Sequence, residues 1–173
     1  MNEALQNLLT RRSCRAYTEE QVKPEALDAI LEAGKFAPTG MGKQTPLMVV
    51  VQDAETLRRV EMLNAAVIGN PDARTFYGAP TVVVVFGQDT LIGLADANLV
   101  IGNLLNGANA VGVDSCYIWR ARESFACEEG KELKAAWGIP ADYVGVGNVI
   151  LGYGRPEGKR EPAPRKDDYV RRA

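Results

Sequence analysis

Five consecutive apolar residues, Val82 to Phe86, follow Thr81. A strand turns successive side chains to opposite faces, so a run with no polar alternation is apolar on both faces and belongs at the centre of a sheet. Leu47-Met48-Val49-Val50-Val51 reads as a second buried strand, Asp114 to Trp119 as a third and Tyr143 to Leu151 as a fourth. Helical patterns fill the gaps. Residues 3–10 place Leu5, Leu8 and Leu9 on one face, and Pro24 opens a helix carrying Leu27, Ile30, Leu31 and Gly34. That helix should stop near Ala37, because Pro38 disfavours helical geometry in the residue before it. Asp53 can cap a helix to about Asn64 with Leu57, Val60 and Leu63 inward, and residues 65–79 read as looser. A small-residue helix is expected from Asp96 to Val111, where Gly102 and Gly107 suit a close neighbour. Another runs from Glu129 to Trp137 with Leu133, Ala136 and Trp137 inward.

A chain of 173 residues is most simply one domain with a real core. Its formal charge of −2 excludes a general nucleic-acid binder, which needs a broad basic face. Asp96, Asn98, Asn103, Asn106 and Asn109 make the 96–111 segment too polar for a membrane span, and no signal peptide is expected behind Met1-Asn2-Glu3. Cys14, Cys116 and Cys127 are odd in number and far apart, which suits a cytoplasmic protein without a disulfide frame. There is no histidine. Ser-His and Cys-His nucleophiles and most zinc sites are thereby removed, and no metal site is expected. An enzyme built on this chain would take its reactive chemistry from a cofactor.

Arg11-Arg12-Ser13-Cys14-Arg15 packs three guanidiniums and a hydroxyl into five residues, with no carboxylate until Glu19. Such a cluster suits phosphate oxygens, while the simpler alternative is a cationic helix end favoured by the helix dipole. The loop Pro38-Thr39-Gly40-Met41-Gly42-Lys43-Gln44-Thr45-Pro46 would let backbone and the Gln44 amide approach a flat polar ring, or it is an ordinary helix-to-strand turn. It is not a phosphate-binding P-loop, since Ala37 and Gln44 stand where that motif needs Gly and Ser/Thr. Nor do the glycines at 145, 147, 152 and 154 make a dinucleotide fingerprint, as no helix opens after them.

In order along the chain, these pieces resemble the FMN-dependent nitroreductase family. Arg11 to Tyr17 is similar to its Arg-x-Ser-x-Arg/Lys-x-aromatic segment, and Ala37 to Pro46 to its Pro-Ser-x-x-Asn-x-Gln-Pro-Trp loop. Ala79-Pro80 before the valine strand, Ala110-Val111-Gly112-Val113, Leu151-Gly152-Tyr153 and Arg165 also fall in the family's order. Gly42 stands where asparagine is usual, Thr45-Pro46 replaces Pro-Trp, and the helical insertion of larger members is missing.

The resemblance implies an α+β, three-layer α/β/α fold whose central sheet is mixed and mainly antiparallel, flanked by helices and dimeric. Residues 1–173 would form one FMN-binding domain, with 155–173 as a C-terminal arm lying along the partner subunit through Tyr169 and Val170. Arg11, Ser13 and Arg165 would hold the FMN phosphate with Arg12 assisting, and Arg15 would lie nearer the pyrimidine end. Pro38, Thr39 and Gly40 would approach the flavin of the second subunit. The backbone of Tyr117, Ile118, Trp119 and Arg120 would lie by the ring, where an N–H can face N5. The implied activity is an oxidoreductase passing hydride from NADH or NADPH through N5 to a nitroaromatic, a quinone or a related small acceptor, by a ping-pong mechanism with no protein acid or base. Alternatives are a non-catalytic FMN-binding or storage protein and a specialised flavin enzyme of the same fold. The expected partner is a second copy of the chain.

Overall fold

The computed structural model describes all residues, 1–173. The valine run becomes β2 (Thr81–Gln88), buried from Thr81 to Gly87. It pairs antiparallel with β1 (Leu47–Val51) on one side and β4 (Tyr143–Gly152) on the other. Strand β3 (Asp114–Ile118) closes the order β1-β2-β4-β3. All pairings between these strands are antiparallel, and the mixed character reduces to a parallel bridge between Ser13 and Ser115 at the β3 edge. Strand β1 is an edge strand with only Val51 fully buried, whereas a buried strand was expected. A short apolar run reads the same at an edge as at a centre, and only the partner count separates them.

The alternation of β2 builds three layers. Val82, Val84 and Phe86 pack with Val60 and Leu63 of α3 (Ala54–Val67), Phe125, and Leu133 of α6 (Glu128–Ala136). Val83 and Val85 face the other way, onto Leu27 and Ile30 of α2 (Pro24–Lys35) and Val100, Ile101 and Leu104 of α4 (Leu91–Ala110). Helix α4 starts five residues earlier than expected because Thr90 caps it, its hydroxyl accepting from the Gly93 N–H at 3.0 Å. By length and composition alone α4 is apolar enough to cross a membrane. Val100, Ile101, Leu104 and Ala108 are instead buried in the core. Its Gly107 does admit a neighbour, since a Cβ there would lie 2.9 Å from Ala33 Cβ of α2, while Gly102 faces open space.

Smaller departures are local. Helix α3 runs on to Val67, and Ala136 is exposed at the end of α6. A four-residue helix, α5 (Ala121–Ser124), follows β3 unforeseen. Helix α1 (Glu3–Thr10) forms as expected, but its Leu5, Leu8 and Leu9 face are all more than half exposed.

Candidate functional site

Residues 11–15 leave α1 in extended geometry, so alternate side chains share a face. Cys14 points inward and is fully buried, and its N–H donates to the Ser115 carbonyl at 3.0 Å. Arg11, Ser13 and Arg15 therefore present the opposite face. The Arg11 and Arg15 guanidiniums have no protein hydrogen-bond or ion-pair partner. Arg12 turns back, Nη1 donating to the carbonyls of Leu9 and Arg11, both at 2.8 Å. Arg12 thus bonds the end of α1, while the Arg11 and Arg15 guanidiniums stay without a protein partner.

Beneath this face the segment is well fixed. Tyr17 Oη donates to the Cys14 carbonyl at 3.0 Å, and the Cys14 thiol donates to the Ala16 carbonyl at 3.2 Å. Burial is the main cause that raises both the Cys14 thiol and the Tyr17 phenol above their ordinary pKa values. The start of the tail locks the other side. Arg15 N–H donates to Gly158 at 2.8 Å, Arg155 N–H to Ala16 at 2.9 Å, and Lys159 Nζ meets the Asp114 carboxylate at 2.6 Å.

The loop between α2 and β1 is strained and anchored. Met41, Gly42 and Gln44 all have positive φ. Gly40 N–H donates to both carboxylate oxygens of the buried Asp96 of α4, at 3.0 and 3.1 Å. A Cβ on Gly40 would lie 2.6 Å from Ile92, so only glycine sits here undisturbed. The Thr39 hydroxyl accepts from the Gln44 N–H at 3.0 Å, and both residues line a pocket of about 130 Å³ with Met48 and Val100. Pro38 is exposed.

At the far end of β3, Tyr117 Oη donates to the Val146 carbonyl at 3.2 Å and packs edge-on to Trp119, with centroids 6.1 Å apart. Ile118 is buried, while Trp119 is exposed. Arg120 takes a left-handed conformation, φ 78° and ψ 13°. The N–H groups of Trp119 and Arg120 donate to no protein atom. A pocket of about 130 Å³ opens beside them between Leu94 and Asn98 of α4 and Gly145 and Val146 of β4.

The chain as a whole is similar to known proteins. The family model described as "Nitroreductase family" matches residues 8–153. A protein of Archaeoglobus fulgidus is 30% identical over 164 residues, covering 91% of this chain and 88% of that one. The chain belongs to the nitroreductase family. An FMN reductase [NAD(P)H] of Bacillus subtilis is 25% identical, over 94% of this chain and 70% of that one. A Bacteroides fragilis nitroreductase solved with bound FMN superposes with a TM-score of 0.89 at 27% identity, covering 100% of both chains.

As a nitroreductase the chain brings Arg11, Ser13 and Arg15 onto one face and Thr39, Gly40 and Gln44 into one loop. Tyr117 to Arg120 form one strand end. It does not bring Arg165 to any of them within a single chain. Residues 160–173 are exposed throughout, and Tyr169 N–H to Lys166 is their only hydrogen bond. The part of the tail bonded to the rest of its own chain therefore ends at Lys159. Reading the sequence missed Asp96, Asn64 and Ser124, whose partners at the site are fixed by the fold. Asp96, the one carboxylate in α4, was the one visible signal.

Proposed function

We propose that this nitroreductase is an FMN-dependent oxidoreductase that draws on NADH or NADPH and reduces a small acceptor of the nitroaromatic or quinone class. The observation that carries the reading is the pairing of two sets of unsatisfied donors along β3. The Arg11–Ser13–Arg15 face lies at its start, where Cys14 bonds Ser115, and the free N–H groups of Trp119 and Arg120 lie at its end. From Ser115 to Trp119 is four residues, about 13 Å at 3.3 Å per residue. An anionic phosphate joined by a ribityl chain to a flat ring with acceptor atoms fits that pattern. Beyond Cys14 the chain turns from β3 onto Gly158 and Gly154, and it is the family resemblance that would put Arg15 at the pyrimidine side of the ring.

In this reading Arg11 and Ser13 bind the phosphate, and the backbone at 119–120 orients the ring. A cation at Arg15 favours a reduced, anionic ring over a neutral one. FMN, when bound, supplies the hydride chemistry at N5. No protein acid or base is required, in keeping with the absence of histidine. Donor and acceptor would use the same face of the site in turn.

The same reading makes the protein a homodimer. Leu5, Leu8 and Leu9 of α1 and Leu99 of α4 are exposed, as is Met41 in the loop after Pro38. Exposed apolar residues on these adjoining elements suit an interface. The partner's Pro38–Thr39–Gly40 loop would then complete the flavin site, and Arg165 would reach the phosphate on the exposed arm. Purified protein should be yellow and release FMN on denaturation. Protein that is colourless and takes up no FMN from a micromolar solution would refute the proposal.

A further inference from the structure

Exactly two buried side-chain atoms in the chain lack a hydrogen-bond partner, Oδ1 of Asn64 and Oδ1 of Asn148, and both residues address the same short stretch of backbone. Asn64 of α3 is 0% exposed, and its Nδ2 donates to the Trp119 carbonyl at 2.6 Å. Asn148 of β4 makes a longer contact, 3.5 Å, to the carbonyl of Ile118. The next carbonyl is held as well, since Arg120 C=O accepts from Ser124 Oγ at 2.8 Å and Ser124 N–H at 3.0 Å. Behind them Gly145 leaves room for the turn, because a Cβ there would lie 2.5 Å from the Ala121 carbonyl.

A trans peptide is planar, so its C=O and the N–H of the following residue point in opposite directions. Holding the Trp119 carbonyl toward α3 therefore aims the Arg120 N–H away from α3. Helices α3 and α4 cover opposite faces of the sheet, and the pocket beside Trp119 and Arg120 lies on the α4 side. Arg120 also pays for this aim with a left-handed backbone that a side chain with a Cβ disfavours. A buried amide with an unpartnered Oδ1, bonded to the residue before a strained non-glycine residue, marks a conformation held in place for use.

We propose that Asn64, assisted by Ser124, is a positioning residue that presents the Arg120 N–H as a fixed donor to a ring nitrogen of the bound flavin. The inference rests on the flavin reading above. Asn64 touches neither flavin nor substrate and acts through the Trp119–Arg120 peptide. Its amide group offers the one donor that fits the Trp119 carbonyl, and an apolar side chain of similar size at position 64 would fill the space without holding the peptide.

The test is FMN isotopically labelled at N5, bound to wild-type protein, Asn64→Leu and Ser124→Ala, with a crystal structure of each variant. The wild-type N5 resonance should be displaced from that of free FMN by the hydrogen bond. In Asn64→Leu it should move back toward the free position while FMN remains bound through its phosphate, and Arg120 should leave the left-handed region. Ser124→Ala, a milder change that reads the turn even if Asn64→Leu does not fold, should show a smaller shift in the same direction. An unmoved N5 resonance with Arg120 still left-handed, in whichever variants fold, would overturn the inference alone. A wild-type protein that binds no FMN would overturn the flavin reading along with it.

Discussion

Substitution tests the parts proposed for the three arginines within five residues. If Arg11 binds the phosphate as proposed, Arg11→Ala removes a charge-assisted contact on the order of 1.5–3 kcal/mol. FMN affinity should fall by about tenfold or more, by the usual conversion of free energy to affinity, while binding of phosphate-free riboflavin stays almost unchanged. Calorimetry with the two ligands checks this, and equal losses would place Arg11 away from the phosphate. Arg12→Ala should instead loosen the end of α1 with FMN affinity retained. Below them, Cys14 and Tyr17 set an alkaline limit. Burial raises both groups above their ordinary values of 9.0 and 10.0, so the unfolded chain loses these protons first. Their contribution to stability is complete below pH 9.0 and declines as pH rises past 9.0 and then 10.0. Tyr17→Phe should flatten the loss above pH 10.0, measured by urea unfolding across that range. An equally steep loss in both proteins would assign it elsewhere.

At the scale of elements, Glu61 ties the turn before β2 to α3. Its carboxylate is 1% exposed and accepts from the Phe76 N–H at 2.9 Å, with Arg58 at 3.2 Å and Arg74 at 3.1 Å. Both arginines are substantially exposed, so their pairing contributes little. The bond to Phe76 matters more, because its loss leaves a buried N–H unsatisfied. Glu61→Ala should cost about 2 kcal/mol, lowering Tm by about 4–8 °C for a domain of this size. Glu61→Gln keeps the Phe76 bond and should lose about half as much. If calorimetric scans show Gln as damaging as Ala, the ion pairs dominate. Elements of this kind were unevenly legible in the sequence. The apolar run of β2 marks a strand, and Pro24 and Asp53 mark helix starts locally. Helix α5 is too short for a periodic signal, and the start of α4 was hidden because Leu91-Ile92-Gly93-Leu94 lacks polar alternation. The edge position of β1 depends on which strands pair, which no local pattern records. The site shows the same division. The Arg11–Arg15 cluster stands out by charge, whereas Asn64 to Trp119 and Asp96 to Gly40 span 55 and 56 residues and become neighbours only through folding.

At the scale of the whole molecule, the proposed homodimer would account for both the exposed α1 leucines and residues 160–173. The segment Gly154–Lys159 is bonded to its own chain, so a cut after Lys159 leaves the body intact. Removing residues 160–173 takes away Arg165, Tyr169 and Val170 together. Dimerisation and FMN retention should then weaken in parallel, as read by sedimentation and by flavin absorbance on the same samples. A truncated protein that stays dimeric and yellow would show that the arm takes no part in either.

The central claim is that this chain holds FMN so that a nicotinamide can reduce it. Anaerobic mixing of FMN-loaded protein with NADH or NADPH, followed at the flavin absorption band, measures this directly. The account predicts that at least one of the two donors bleaches the flavin in a single phase, and that a nitroaromatic or quinone added afterwards restores the colour. Flavin that stays bound and fully oxidised with both donors would contradict the account and leave a flavin-binding protein without reductase activity.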